Sequence, residues 1–516
     1  MKKRPNVLWL MSDQHNANCT GYAGNPDVKT PALDRIAAGG VNFSNGFANN
    51  PICSPSRICF MTGQYMHTHR MFGNNHAEYP TPNPDTLGCL FRRYGYQTAL
   101  IGKSHMVRRW DADGFEHIRY TDLCDAVRTR PETTHYFQYL IDRGLADGYE
   151  EGSAKPGQEY MDDGSGPSRL PYEHSIERYT GRETLKFLEN RDESRPFFLH
   201  MSFQRPHAPI APAREFYDLY DPDRLTLPDS AFDWLKNRFA GHPGFMADKL
   251  NAGCEYPLAS TEARLRRCIA SYYGLISAID QEIGGVLDYL ESVGELENTI
   301  VFYTADHGDF AGEHGLFHKN FGLFDSIQKI PFLLKWPGGP AGVTCDRLVE
   351  SVDLYPTLCE LCDVPLPEGR DGMSLAAVEK GECDRDAVFC EWQNFDREPA
   401  RLSSIRTREF RLVCQTGQTE GELYDHRADP GETENRWNDP QYAAIRLELL
   451  QRLLEFTLKY SAETDVPGDR KLDRLERDTP KGLLHKGKIY WSTLQKAYGA
   501  KGQWPPCTAD RREAMR

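Results

Sequence analysis

The sequence predicts an α/β fold followed by a small antiparallel piece, and three observations predict it. Short apolar runs alternate with amphipathic segments along most of the 516 residues. Three of those runs end abruptly in polar residues: VLWLM in Ser12-Asp13-Gln14, FFLHMSF in Gln204-Arg205-Pro206-His207, and TIVFYT in Ala305-Asp306-His307-Gly308. From about residue 385 the texture changes to short strand-like pieces, AVFCEW, SSIRT, FRLVCQ and ELYDH, before an amphipathic helix around 442–459.

Taken in order, residues 6–11 read as a buried strand. Residues 30–39 read as a helix, with Thr30 at the N-cap, Pro31 at the first position and Gly39 at the end. Residues 98–101, 197–203, 299–304 and 331–334 are further strands. Tyr273, Ile276, Ala278, Ile279, Ile283 and Val286 recur near helical spacing, so 271–290 is a long helix. In open α/β sheets ligands bind beyond the carboxyl ends of the strands. Three polar clusters at three such ends therefore point to one shared site. These features divide the chain into a main domain, 1–384, a small antiparallel-sheet domain with a helix on it, 385–470, and a charged, irregular extension, 471–516. The extension is expected to be an arm on another subunit of a homo-oligomer.

Composition is that of a globular protein, 39% hydrophobic and 26% charged. A net charge of −14 argues against a nucleic-acid-binding surface. No apolar run reaches the roughly 18–20 residues of a membrane span, so no membrane partner is expected. The N-terminal VLWLM is too short for a signal peptide and runs straight into polar residues, and the fourteen cysteines are scattered. Reduced thiols and a cytoplasmic location are the expectation.

Cys53-Ser54-Pro55-Ser56-Arg57 raises the chemical question. Pro55 suits the first turn of a helix, which would put Cys53 near a helix N-terminus, where free N–H groups favour an anion. Arg57, one turn on, could fork two oxygens of a sulfate or phosphate. Taken alone, the same five residues fit equally well a buried cysteine at an ordinary helix start.

The wider context resembles the type I, formylglycine-dependent sulfatases of the alkaline-phosphatase-like superfamily. CSPSR followed by Thr62-Gly63 is similar to their activation signature. PNVLWLMSDQ, KTPALDRIAAGGVNFSNGFANNPICSPSR, IGKSH, RPHAP, TADHGDFAGEHGLFHK, IPFLLKWPG, VDLYPTL and GELYDHRADPGETEN follow in family order over nearly the whole chain. The resemblance implies a large mixed sheet sandwiched by helices, with a small C-terminal α+β domain. It also implies that a sulfatase-maturating enzyme oxidises Cys53 to formylglycine (3-oxoalanine), whose hydrate attacks a sulfate monoester with help from Asp306. Asp13 followed by Gln14, and Asp306 followed by His307, depart from the commoner Asp-Asp and Asp-Asn. They resemble the branch of choline sulfatases and phosphonate monoester hydrolases. Gln64 replaces the usual Arg after Thr-Gly.

By the same resemblance Asp13, Gln14, Asp306 and His307 are the metal ligands. Their mostly oxygen donors suit Ca²⁺, and the histidine admits Mn²⁺ or Mg²⁺. Arg57, Lys103 and Lys319 are implied to bind the anion, and Asn74 to lie near its oxygens. His207 resembles the acid that protonates the leaving alcohol, and His105 the base that helps release sulfate. His15, His67, His69, His76, His314 and His318 match no motif. Cys359 and Cys362 form a C-x-x-C expected to be structural, and Cys59 is expected in the core.

The substrate is expected to be a small-molecule or carbohydrate sulfate ester, with its alcohol chosen by loops such as 105–195 and 205–265. Two rivals stay open: a phosphonate monoester or phosphodiester hydrolase using the same site, and a non-catalytic binding protein on the same scaffold.

Overall fold

The computed structural model describes residues 4–69, 71, 73–74, 86–105, 114–122, 134–149, 165–233, 261–319, 322–378, 385–394, 400–462, 484–485 and 488–489. His76, parts of the two expected specificity loops and nearly all of 471–516 lie outside the described residues.

Eight strands form the large sheet: β1 Asn6–Asp13, β2 Val41–Phe47, β3 Gln97–Gly102, β4 His117–Tyr120, β5 Phe197–Pro206, β6 Thr299–Ala305, β7 Phe332–Lys335 and β8 Val343–Glu350. Their spatial order is β4-β3-β5-β1-β6-β7-β2-β8. Among the described strands only β7 runs against the rest, pairing antiparallel with β6 and β2. Sequence reading finds the five strands with continuous apolar runs. It misses β2, β4 and β8, whose solvent-facing positions break up the pattern.

The helices used below are α1 Pro31–Gly39, α2 Cys53–Thr62, α3 Ile176–Asn190, α4 Glu262–Ser292, α5 Leu354–Leu361 and α6 Ala443–Ala462. They cover the sheet on both faces, as the strand periodicity requires. Val7, Trp9 and Met11 of β1 pack with Phe60 of α2 and Tyr355 and Leu358 of α5. Leu8 and Leu10 point the other way, to Leu33 and Ile36 of α1, Phe187 of α3 and Ile279, Ile283 and Val286 of α4. Burying a leucine or isoleucine fully is worth about 1.5–3 kcal/mol, so this doubly covered strand is a main contributor to stability. Helix α4 starts nine residues earlier than the periodicity suggests. Thr261 caps it by accepting the Arg264 N–H, and the charged turn EARLRR follows. Helix α1 starts as expected, but its exposed N–H groups are taken by Asp280 of α4 (Ala32 N and Leu33 N, each 2.9 Å). The Thr30 hydroxyl instead accepts the Gly21 N–H at 2.8 Å.

The small sheet has four antiparallel strands, β9 Val388–Asn394, β10 Ala400–Arg406, β11 Phe410–Gln415 and β12 Glu422–Asp425, in the order β12-β11-β10-β9. Leu449 and Leu453 of α6 cover one face, against Ile405, Leu412 and Leu423. The other face, with Cys390, Trp392, Leu402, Val413 and Tyr424, packs on Ile52, Phe310, Leu323 and Phe324. Ile52 directly precedes Cys53. Residues 1–456 form one compact unit, and 457–516 group separately. Within the second group Leu484–His485 and Lys488–Ile489 pair antiparallel. Among the described residues no helix is long and apolar enough to cross a membrane.

The core carries neutral histidines. His200 lies flat on Trp9, with ring centroids 3.9 Å apart, and burial followed by the nearby Arg57 pushes its pKa down from 6.5 to about 3. In the unfolded chain this imidazole takes up a proton near its ordinary 6.5. Its contribution is therefore complete above pH 6.5 and is lost as pH falls from there toward 3. Asp280 has the opposite sign, because burial raises it from 3.8 to about 7, so its contribution is lost as pH rises. The comparison must therefore be between proteins. His200→Phe, which keeps the stacked ring, is expected to lose less stability than the parent between pH 6.5 and 4.5. Urea midpoints measured across that window check it, and parallel curves would exclude the effect.

Candidate active site

The sheet register brings the polar strand ends together. A bulge between Met11 and Asp13 sets Asp13 opposite Pro206 of β5, and Ser12 lies opposite Ala305 of β6. The His207 N–H then donates to the Asp13 carbonyl (3.1 Å), and the Asp306 N–H to that of Ser12 (3.3 Å). Lys103 enters from the end of β3. Gly102 before it has φ of 117°, and a Cβ there would sit 1.7 Å from the Ser202 carbonyl oxygen, so only glycine lets the chain turn in.

Cys53 is the first residue of α2, as the proline placement suggests. Ile52 supplies no side-chain cap, so the free N–H groups find partners further away. Asn50 Oδ1 accepts the Ile52 N–H (2.9 Å), and Asn74 Oδ1 accepts the Ser54 N–H (3.0 Å). Asn50 in turn donates to the Glu391 carbonyl of β9 (2.5 Å), tying the nucleophile loop to the small sheet.

Four groups converge around residue 53. Asp13, Cys53, Asp306 and His307 are almost fully buried, and one ligand atom from each lies within 4.8 Å of every other. Cys53 Sγ is 3.3 Å from His307 Nε2 and 3.8 Å from Asp13 Oδ1. His307 Nε2 is 3.7 Å from Asp13 Oδ1 and 3.5 Å from Asp306 Oδ1. Three cations ring them. Lys319 Nζ donates to Cys53 Sγ and to His307 Nε2, each at 2.9 Å. Lys103 Nζ meets Asp13 Oδ2. Arg57 donates to Asp306 Oδ2 (2.8 Å), Ser202 Oγ (2.8 Å), the Lys103 carbonyl (3.2 Å) and Asp13 Oδ2 (3.5 Å). Its fork thus faces two carboxylates.

Electrostatics follow from this packing. Burial and the Asp13 carboxylate push the Cys53 thiol up, but Lys103, Lys319 and His307 together bring it well below its ordinary value. Burial opposes ionisation of Asp13 too, and Lys103, His207, Lys319 and Arg57 outweigh it, holding the carboxyl far below the usual range. His307 is raised despite burial, chiefly by Asp306.

The donor set fits a divalent cation. His307 Nδ1 donates to its neighbour Gly308 (2.9 Å), which fixes the tautomer and leaves the Nε2 lone pair toward the cluster. Gln14 is buried, with φ of 68°. Its Nε2 donates to Asp309 Oδ2 (2.5 Å) and His318 Nδ1 (3.0 Å). Its Oε1 has no hydrogen-bond partner among the described residues, as expected of an oxygen reserved for a metal. A second group, Asp325, His426 and Glu432, has comparable spacing. There Arg406 lies 3.0 Å from Asp325, and Arg411 pairs with Glu432, so the protein supplies the positive charge itself.

All eleven expected site residues lie at this strand edge. Asn74 and His105 join through Ser54, whose hydroxyl donates to the His105 carbonyl (2.6 Å). His207 is half-buried, donates from Nδ1 to the Ala208 carbonyl (2.9 Å), and is pushed down to about 3 by burial and then Lys319. The histidines without a motif have structural partners: His15 with Tyr303, His69 with Cys59, His67 with Glu391, His314 with Asp233 and His318 with Gln14. Cys59, Cys359 and Cys362 are buried in the core. Sequence reading misses Asp122, Ser202 and Asp309, which hold backbone or neighbouring side chains. Only Asp309 had a signal, its place in TADHGD.

Positive charge gathered round a buried nucleophile position and two carboxylates makes a site for breaking an ester that is itself an anion. Comparison with known proteins agrees. The sulfatase family model matches residues 5–364, and that of the N-sulphoglucosamine sulphohydrolase C-terminal region matches 312–459. An N-acetylglucosamine-6-O-sulfatase of Bacteroides thetaiotaomicron is 27% identical over 91% of this chain and 90% of its own. A choline-sulfatase of Rhizobium meliloti is 29% identical over 85% of this chain and 83% of its own. The solved phosphonate monoester hydrolase of Agrobacterium radiobacter has a TM-score of 0.74 and 26% identity, covering 89% of this chain and 96% of that one. This chain belongs to the sulfatase family. Its fold is the alkaline-phosphatase-like one, and it is a sulfatase, a hydrolase of sulfuric esters. The family uses a divalent metal and formylglycine, and the Asp13–Cys53–Asp306–His307 cluster is a candidate metal site.

Proposed function

We propose that this sulfatase cleaves sulfate monoesters of carbohydrates, using formylglycine made from Cys53 by a sulfatase-maturating enzyme. The observation that carries the site assignment is the convergence of Asp13, Cys53, Asp306 and His307 on one buried point beside Lys319. The carbohydrate preference is supported by the N-acetylglucosamine-6-O-sulfatase relative and by the match to the N-sulphoglucosamine sulphohydrolase C-terminal region. Asp13, Gln14, Asp306 and His307 would hold the divalent cation, and their mostly oxygen donors favour Ca²⁺ over Mn²⁺ or Mg²⁺. When bound, the cation would polarise the sulfuryl oxygens. Formylglycine, as its hydrate, would supply the attacking oxygen.

The chain's own residues do the rest. Asp306, fixed by the Gln14 and His307 N–H groups and by Arg57, is the carboxylate that takes the nucleophile's proton. Lys103 and Lys319 offset the charge on the sulfate, and Arg57 holds both carboxylates in place. His207 protonates the departing alcohol from Nε2, since Nδ1 is committed to Ala208. Burial, then Lys319 and Lys103, hold its pKa low, and an arriving sulfate offsets the two lysines, which shifts His207 toward protonation in the loaded site. His105 is the base of the sulfate-releasing step.

The test is the peptide mass around residue 53, in protein made with the maturating enzyme. Replacing CH₂SH by CHO lowers it by about 18 Da. The converted protein is then expected to have a higher kcat/KM on sugar sulfates than on aryl phosphonates. An unaltered Cys53 in active protein would sink the mechanism, and a phosphonate preference would sink the substrate.

A further inference from the structure

We infer that Asp122 is a positioning residue for His105, and that with Ser54 it forms a two-sided clamp on the His105 backbone. The inference deepens the reading of His105 as the base of the sulfate-releasing step and rests on it. His105 is held at φ of 51°, a left-handed conformation that non-glycine residues adopt rarely and that persists only when the surroundings over-determine it.

Here they do. Asp122 Oδ1 accepts the His105 N–H at 2.9 Å, and Oδ2 accepts the Ser104 N–H at 3.0 Å. One carboxylate thus bridges two successive backbone donors. On the other side, Ser54 Oγ donates to the His105 carbonyl at 2.6 Å. Just upstream, the Lys103 N–H donates to the Ser202 carbonyl (2.8 Å), and the Lys103 carbonyl accepts from Arg57 (3.2 Å). The three-residue turn is therefore pinned at five points.

The two jaws come from different places. Asp122 follows β4, whose Tyr120 pairs with Gly102 at the end of β3, and the Thr121 N–H donates to the Gly102 carbonyl at 3.0 Å. It is anchored to the sheet. Ser54 is the residue after Cys53 and moves with α2. The clamp therefore sets where the base stands relative to the nucleophile, which a hydrogen bond to the sheet alone would not do.

Asp122→Asn keeps the shape but turns an NH₂ toward one of the two N–H donors. It is expected to lower kcat by about 30–100-fold, the scale of a 1 Å misplacement of a catalytic group. KM for an aryl sulfate is expected to fall with kcat, leaving kcat/KM within about threefold, because the first step and ground-state binding are untouched while the covalent intermediate accumulates. The diagnostic readout is the order of products. A crippled second step releases one equivalent of alcohol per site in a burst, ahead of sulfate. Ser54→Ala is expected to show the same burst with a smaller fall in kcat, and it carries the test alone if Asp122→Asn does not fold. His105→Ala is the reference. If it shows the burst and neither clamp variant does, the clamp is wrong. If His105→Ala itself shows no burst, the base assignment fails first and takes the clamp with it. A fall in kcat/KM matching that in kcat, without a burst in the clamp variants, would also overturn the proposal.

Discussion

Cys53→Ala, made with the maturating enzyme present, is expected to lose at least about 10⁴-fold in kcat on its best sulfate ester, the scale seen when a nucleophile is removed from an otherwise intact site. The reason is local. Residue 53 is the point where Lys319, His307 and Asp13 converge, all within 3.8 Å of its Sγ. No other group in the cluster can replace it, because Asp13 and Asp306 are tied to Lys103 and Arg57. Alanine removes a small, buried, partly polar side chain at a helix start, so the fold is expected to survive. A circular dichroism melt close to that of the parent, with turnover gone, is the expected pair of results. Retention of even a tenth of the activity would mean that the nucleophile lies elsewhere.

Asp13→Ala is expected to damage stability as well as activity. Asp13 is completely buried and is the carboxylate of Lys103, which is itself 3% exposed. Removing one partner of a buried ion pair leaves the other desolvated and unpaired, at a cost of about 3–5 kcal/mol. Arg57 suffers less, since it keeps its 2.8 Å contact with Asp306. Measured by urea unfolding in the presence of chelator, the variant should therefore be destabilised even without metal. In parallel, the parent is expected to gain melting temperature with Ca²⁺, the proposed cation, and the variant to lose that gain, because an anionic ligand is gone. Asp13→Asn separates the two effects: it keeps the volume and one acceptor, so it should recover part of the stability and little of the cation response. Unchanged stability in chelator would contradict this ion cluster.

How much of this was legible in the sequence depends on the kind of interaction. Asp13, His207 and Asp306 could be read because a buried parallel strand must be apolar, so the first polar residues mark its end. Cys53 and Arg57 could be placed because Pro55 marks a helix start. What could not be read is where long-range hydrogen bonds go. Nothing local says that Asn74 takes the Ser54 N–H, or that Arg57 turns its fork to Asp306 and Ser202. Asp122 and Asp309 act on backbone or amide groups brought to them by the fold; TADHGD marks Asp309 as near the site, but no spacing shows that it meets Gln14. The missed strands are a different case. β8 begins exposed and becomes buried only over its last three residues, so neither alternation nor a continuous apolar run is present.

The burial of Cys53 also has a timetable. The groups that enclose its thiol, His307 and Lys319, lie 254 and 266 residues further along the chain. The sheet that backs Ile52 comes later still, between 388 and 425. At a synthesis rate of about 5–20 residues per second, Lys319 follows Cys53 from the ribosome by roughly 13–53 s. Throughout that interval residue 53 lacks these neighbours and would be open to the proposed maturating enzyme. The same long-range closure that buries the mature site would thus leave the newborn chain tens of seconds in which the proposed nucleophile could be made.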